Sequence, residues 1–188
     1  LEEIVSYMET NALPFEHVDV WVPSLPPKGE GKPAELRLFH AGHATRSDLD
    51  PALFCQMHEY GECRVKCSFA SGVGLLGRVY ATGKPSGECQ IDEVDPTLFV
   101  RAGGAKVYGI KTGLAIPVTT AVIGRMVVSM YSTRNMHANP TMIQKITADL
   151  AMYAPEPKWK LVVDLGTSRG SHPAGQSSAS MTHIEHFG

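Results

Sequence analysis

The sequence has no surplus of positive charge: 17 Lys and Arg stand against 19 Asp and Glu, a formal net charge of −2. Proteins that grip nucleic acid through its phosphates carry a clear basic excess, so no nucleic-acid partner is expected. Long apolar runs are missing too. The longest uncharged stretches, such as residues 112–124, are broken by Pro, Thr and Gly. They fall short of the roughly 18 apolar residues that a bilayer span needs, so no membrane partner is expected either. The first dozen residues hold Glu2, Glu3 and Glu9 and show neither a basic n-region nor an apolar h-region, which speaks against a signal peptide. The start at Leu1 suggests a piece of a larger protein. Cysteine is scarce, four in 188 residues, too few for a disulfide scaffold; this favours a reducing, intracellular and cytoplasmic setting.

What is present fits one domain of ordinary size with a real core. Residues 1–165 read as that domain. Residues 166–188 turn to Ser, Gly, His and Thr with little apolar surface, and read as a flexible polar tail or linker. Leu1, Ile4, Val5 and Met8 follow helical spacing, giving a helix over 1–11. Val18, Val20 and Val22 alternate with Asp19 and Trp21, predicting a half-buried strand stopped by Pro23; residues 35–40 form the second arm of a hairpin. Asp50-Pro51 starts a helix over 51–60, ended by Gly61. Val65, Cys67 and Phe69 predict a third strand, followed by a glycine-rich turn and a short helix that stops at Gly83. A further helical segment opens at Asp95-Pro96 and runs to about Lys106. Residues 113–118 and 124–131 form an apolar hairpin, and Asn139-Pro140 caps a second long helix to 154. Hairpin-joined strands imply a mainly antiparallel sheet with helices packed on it, an α+β architecture.

Eleven of the 18 glycines lie between Gly61 and Gly124. Gly72, Gly74 and Gly77 match G-x-G-x-x-G, and Asp92 follows Gly72 by 20 residues, as in a dinucleotide fingerprint. The helix after Gly77 is too short to cross back over a parallel sheet, and the βαβα alternation is absent. A tight turn with close backbone packing explains the same glycines.

The run Gly72-Val73-Gly74-Leu75-Leu76-Gly77-Arg78-Val79-Tyr80-Ala81-Thr82-Gly83-Lys84-Pro85, then Phe99-Val100-Arg101, Ala105, Gly109 and Lys111-Thr112-Gly113-Leu114-Ala115-Ile116-Pro117-Val118, resembles the core of a GAF domain. The resemblance spans residues 1–154 and implies a six-stranded antiparallel sheet with helices on both faces. The terminal helices would lie on one face and a small-molecule pocket on the other. It further implies a sensory or regulatory module for signal transduction, binding a cyclic nucleotide, a tetrapyrrole or another small molecule noncovalently, or a homodimer formed through the terminal helices. Gly87 stands where many relatives carry Trp, and no cysteine is followed by His, so a covalent bilin is not expected. On this reading the ligand contacts are Phe69, Ser71, Phe99, Arg101, Lys106, Tyr108 and Thr112, with Lys111 a further candidate for an anionic ligand.

No catalytic constellation is expected: Ser-His-Asp, HExxH and P-loop patterns are absent, and the domain reads as a non-enzyme. Some proteins of this fold reduce free methionine sulfoxide with cysteines, and Cys63, Cys67 and Cys89 bracket the region concerned. Cys55, His58, Cys63 and Cys67 do not form the close pairs of a zinc knuckle, and extended Cys63 and Cys67 would stand about 13 Å apart. His40 and His43, three apart on a strand, point to opposite faces and so would not share an ion. No metal site is expected. His172, His183 and His186 belong to the polar tail.

Overall fold

The computed structural model describes residues 1–24, 35–94, 102–121, 123–137 and 139–152, and for 102 and 103 the backbone alone. The order is α1 (Glu2–Thr10), β1 (His17–Ser24), β2 (Arg37–Thr45), α2 (Pro51–Glu62), β3 (Ser68–Ala70), α3 (Gly74–Thr82), β4 (Ser86–Cys89), α4 (Ala102–Val107), β5 (Thr112–Thr120), β6 (Gly124–Ser132) and α5 (Pro140–Met152). The six strands form one sheet in the order β3-β2-β1-β6-β5-β4, every pairing antiparallel. The α+β expectation and the six-stranded sheet hold.

The sheet is buried on both faces. Because side chains alternate along a strand, Val18, Val128, Met130, Leu114 and Ile116 share one face with Met8 of α1 and Ile146 and Leu150 of α5. Trp21, Val127, Tyr131 and Ala115 share the other with Met57 and Tyr60 of α2, Leu75, Leu76 and Val79 of α3 and Ala105 of α4. The terminal helices run antiparallel, tied by Tyr7 Oη donating to Asp149 Oδ2 (2.7 Å) and Lys145 Nζ to Asn11 Oδ1 (3.2 Å). Asn139 caps α5 as expected, its Oδ1 accepting from Met142 N at 3.1 Å.

Several expectations need correction. β1 is not half-buried: Val18, Asp19 and Trp21 are all fully inaccessible. It also runs on through Pro23, tolerated because pairing with β6 ends at Trp21 and, among the described residues, leaves that side of the strand without a hydrogen-bonding neighbour. The third strand starts at Ser68 and not at Val65, which is 53 % exposed; α2 extends to Glu62 and a turn over 63–66 follows. β4 had no sequence signal, since Ser-Gly-Glu-Cys contains no β-branched or aromatic residue. Asp95-Pro96, the end of the last helix at 153–154 and the tail at 166–188 lie outside the described residues.

The G-x-G-x-x-G run makes a strand-to-helix turn. Gly72 has φ +84°, and a Cβ on Gly77 would stand 2.2 Å from Ala70 O. These glycines let α3 pack hard against the end of β3, and the antiparallel sheet excludes the dinucleotide-binding alternative.

Candidate functional site

On the face covered by α2, the centre of the sheet is polar. His17, Asp19 and Trp21 point to this face from β1. From β6 come Tyr131, opposite His17, and Ser129, opposite Asp19. On β2, Ala41 has no partner: Val20 faces Gly42 while Trp21 faces His40. This bulge shifts the side-chain parity, as an extra residue in one strand does. His40 and His43, expected on opposite faces, therefore both point under α2, with ring centroids 5.4 Å apart.

Arg64 enters from the turn after α2. Its side chain is 1 % exposed, and its Nε lies 2.9 Å from Asp19 Oδ2, itself fully buried. The guanidinium donates to Tyr131 Oη at 2.6 Å and to Tyr60 Oη. It lies over three rings, at 4.4 Å from the Tyr131 centroid, 4.8 Å from Tyr60 and 5.2 Å from Trp21. Asp19 Oδ1 is 3.0 Å from His17 Nε2, and His17 Nδ1 is 2.8 Å from Thr45 Oγ1. Trp21 Nε1 donates to Ser129 Oγ at 3.0 Å.

Burial by itself would raise the Asp19 pKa, but the Arg64 charge, the His17 hydrogen bond and the nearby His40 ring hold the carboxyl well below the ordinary carboxylate range. Burial works against the Arg64 cation, and the two tyrosine oxygens and Asp19 more than offset it, keeping the guanidinium charged. The Tyr131 phenol is pushed up by burial, against the opposing pull of Arg64. Burial lowers the His43 pKa, helped by the nearby His17 and opposed by Asp19 and Glu62.

The set is incompletely satisfied. Asp19 Oδ2, Arg64 Nε and His40 Nε2 have no hydrogen bond of good geometry among the described residues, although His40 Nε2 is 3.5 Å from Asp19 Oδ1. Buried polar atoms in native proteins are nearly always paired; Asp19 Oδ2 and Arg64 Nε face each other at 2.9 Å, which leaves His40 Nε2, 3.5 Å from Asp19 Oδ1, as the most weakly paired atom of the set. A buried ion pair is no economical way to stabilise a core, whereas such pairs are common at functional sites.

The contacts expected from sequence do not converge. Phe69 is a wall of the polar centre, edge-on to Trp21 at 5.0 Å. Tyr108 packs on Tyr60 at 5.8 Å, and its carbonyl accepts from Gln56 Nε2 at 2.6 Å. Ser71 and Lys106 are exposed, as is Lys111. Thr112 points to the other face, where its Oγ1 donates to Arg134 O and accepts from Met136 N. There it lines a cleft of about 60 Å³ with Cys89 and Ile143, too small for a ligand site of the usual size, roughly 300 Å³ or more. Phe99 and Arg101 lie outside the described residues. Sequence reasoning missed His17, Asp19, Arg64 and Tyr131. The available signal was Trp21: a strand face carrying Asp19 together with a tryptophan is poorly suited to solvent.

All four cysteines are free thiols. Cys67 adjoins β3 at one edge of the sheet and Cys89 ends β4 at the other. Five strand spacings, about 24 Å along the sheet, separate those edges.

In sequence the chain matches no family model and no curated protein. In structure it is similar to a GAF domain region from Geobacter sulfurreducens (TM-score 0.52, 9 % identity, covering 81 % of this chain and 86 % of that one). It is similar also to a GAF domain/HD domain protein from the same organism (TM-score 0.52, 13 % identity, 81 % and 86 % covered). A third similar structure is an NreA protein of Staphylococcus aureus mutated in its nitrate-binding site (TM-score 0.50, 14 % identity, 79 % and 93 % covered). Identity at this level carries the fold alone: the architecture is GAF-like. No helix among the described residues is long and apolar enough to cross a membrane.

Proposed function

We propose that this chain is a regulatory domain that binds a small molecule noncovalently on the α2–α4 side of its sheet and passes the bound state to a neighbouring domain through α1 and α5. The observation that carries the reading is the buried Asp19–Arg64 pair with the weakly paired His40 Nε2 beside it, 3.5 Å from Asp19 Oδ1. Arg64 offers a charged, forked donor, His40 a further ring nitrogen, and Trp21, Tyr60, Phe69 and Tyr131 the apolar walls. That chemistry suits a small molecule with an anionic or hydrogen-bonding group. The nitrate-binding site named for the NreA neighbour is in keeping with this class of ligand.

Signalling requires that the ligand favour one arrangement of the helices over another. The sheet is the physical link: Trp21 and Tyr131 on the ligand side alternate with Val18 and Met130, which pack beneath α1 and α5. Leu1 (43 % exposed) and Met152 (80 % exposed) leave apolar surface on the terminal helices. A second copy of the chain is the partner that surface suits, so homodimerisation is part of the proposal.

Native mass spectrometry of gently purified chain, followed by thermal-shift screening with small oxyanions, cyclic nucleotides and tetrapyrroles, tests the reading. A retained or stabilising ligand supports it. The absence of both a retained mass and any shift overturns it. Sedimentation showing a monomer at every concentration overturns the dimer.

A further inference from the structure

A second cluster lies at the rim of the same face. His43 of β2 and His58 and Glu62 of α2 bring one ligand atom each within 4.8 Å of one another. His58 and Glu62 are four apart and share a helix face. The bulge at Ala41 turns His43 towards them. His43 Nε2 lies 3.4 Å from Glu62 Oε1, the edge length of a tetrahedron with bonds of about 2.1 Å.

Two further features hold the rings in place. Phe54, one turn before His58, stacks on it at 6.0 Å and 7°, and His43 meets His58 edge-on at 5.5 Å. Gly61 supplies the space: a Cβ there would stand 2.6 Å from His43 Cδ2 and 2.6 Å from His17 Cε1. The missing side chain is what lets the imidazoles approach the helix.

We propose that His43, His58 and Glu62 form a binding site for a divalent first-row transition ion of zinc-like preference, held by two imidazoles and one carboxylate with an open coordination position. Imidazole donors favour zinc, iron, nickel or copper over magnesium and calcium. Three protein ligands with a solvent-facing fourth position are the arrangement of open zinc sites. Closing the 4.8 Å spread asks for a movement on the order of 1 Å, which the exposed His58 and Glu62 side chains supply by rotation. A bound ion would clip α2 to β2. It would do so beside the polar centre, because the His43 ring stacks at 5.5 Å on His17, the hydrogen-bond partner of Asp19.

The test is titration of the full 188-residue chain with zinc chloride against a competing chromophoric chelator, with cobalt(II) as the spectroscopic probe. One ion per chain is expected. His58→Ala and Glu62→Ala each weaken binding by more than the ~10–100-fold that loss of a residue hydrogen-bonded only to a ligand side chain costs. A Cys55→Ser/Cys63→Ser/Cys67→Ser variant and a His172→Ala/His183→Ala/His186→Ala variant bind as the parent does, and the cobalt complex shows no thiolate charge-transfer band. Both ligands on α2 are exposed, so circular dichroism and melting of the single variants match the parent. The proposal is overturned if zinc binding survives the His58→Ala/Glu62→Ala pair, if it is lost with the cysteines or the tail histidines, or if no binding occurs at micromolar metal. None of these outcomes bears on the small-molecule screen.

Discussion

Gly61→Ala decides whether the close approach of the histidines to α2 is a structural requirement. In an exposed helix interior this change stabilises by about 0.8–1 kcal/mol, because alanine has the higher helix propensity. Gly61 is buried, and its new Cβ would meet His17 Cε1 and His43 Cδ2 at 2.6 Å and His43 Cγ at 2.8 Å. The His17 ring cannot give way cheaply, since it is fully buried and bound through both nitrogens, to Thr45 and to Asp19. Overpacking of this kind costs about 1–3 kcal/mol. The two effects together leave the variant less stable by about 1 kcal/mol, a melting-point drop of about 2–4 °C for a domain of this size. Urea and thermal unfolding, followed by circular dichroism, measure it. A variant that melts higher than the parent would refute the reasoning, because it would show that the imidazoles move aside at no cost.

Removing the carboxylate with Asp19→Ala strands the buried Arg64 cation and costs about 3–5 kcal/mol; Asp19→Leu combined with Arg64→Met loses less than the two single changes added together, as a double-mutant cycle in urea will show. The depressed Asp19 pKa makes folding stability fully present above the ordinary carboxylate value, about 3.9, and lost progressively as the pH falls below it towards the folded-state pKa. Acid titration of unfolding stability in Asp19→Asn therefore gives a shallower slope below about pH 4, and a slope equal to the parent's would contradict the pairing. For His43 the lowered pKa means that the folded chain prefers the neutral ring, so its contribution is present above about pH 6.5 and declines as the pH falls through its folded value; His43→Gln removes that dependence. Asn139→Ala removes the cap on α5 and costs about 1 kcal/mol, read as a lowered urea midpoint with unchanged slope.

The elements with strong periodic or capping signals were legible in the sequence. The β5–β6 hairpin is mainly apolar, α5 opens on Asn139-Pro140, and α3 ends at Gly83 with φ +67°. The glycine-rich turn before α3 could be read as packing because its helix was too short for a crossover. The polar centre was less legible for a specific reason. Alternation says which residues share a face but not which face is buried, and the valines of β1 drew the core to their side. Both sides proved to be core. His40 and His43 were assigned to opposite faces by a parity rule that holds only without a bulge, and nothing in the Phe-His-Ala-Gly-His run marks Ala41 as the extra residue. Arg64 was hidden for a different reason: a turn residue between helix and strand reads as solvated, and only the tertiary fold sends its side chain beneath α2 to Asp19.

The proposed function requires that a ligand be received by the polar centre on the α2–α4 side. Its closest test is the NMR spectrum of the chain carrying ¹⁵N-labelled histidine and arginine, recorded through a titration with whichever small molecule raises the melting temperature. The His40 ring nitrogens and the Arg64 Nε signal are expected to shift in proportion to occupancy, while the tail histidines stay fixed. A stabilising ligand that leaves His40 and Arg64 unmoved would contradict it.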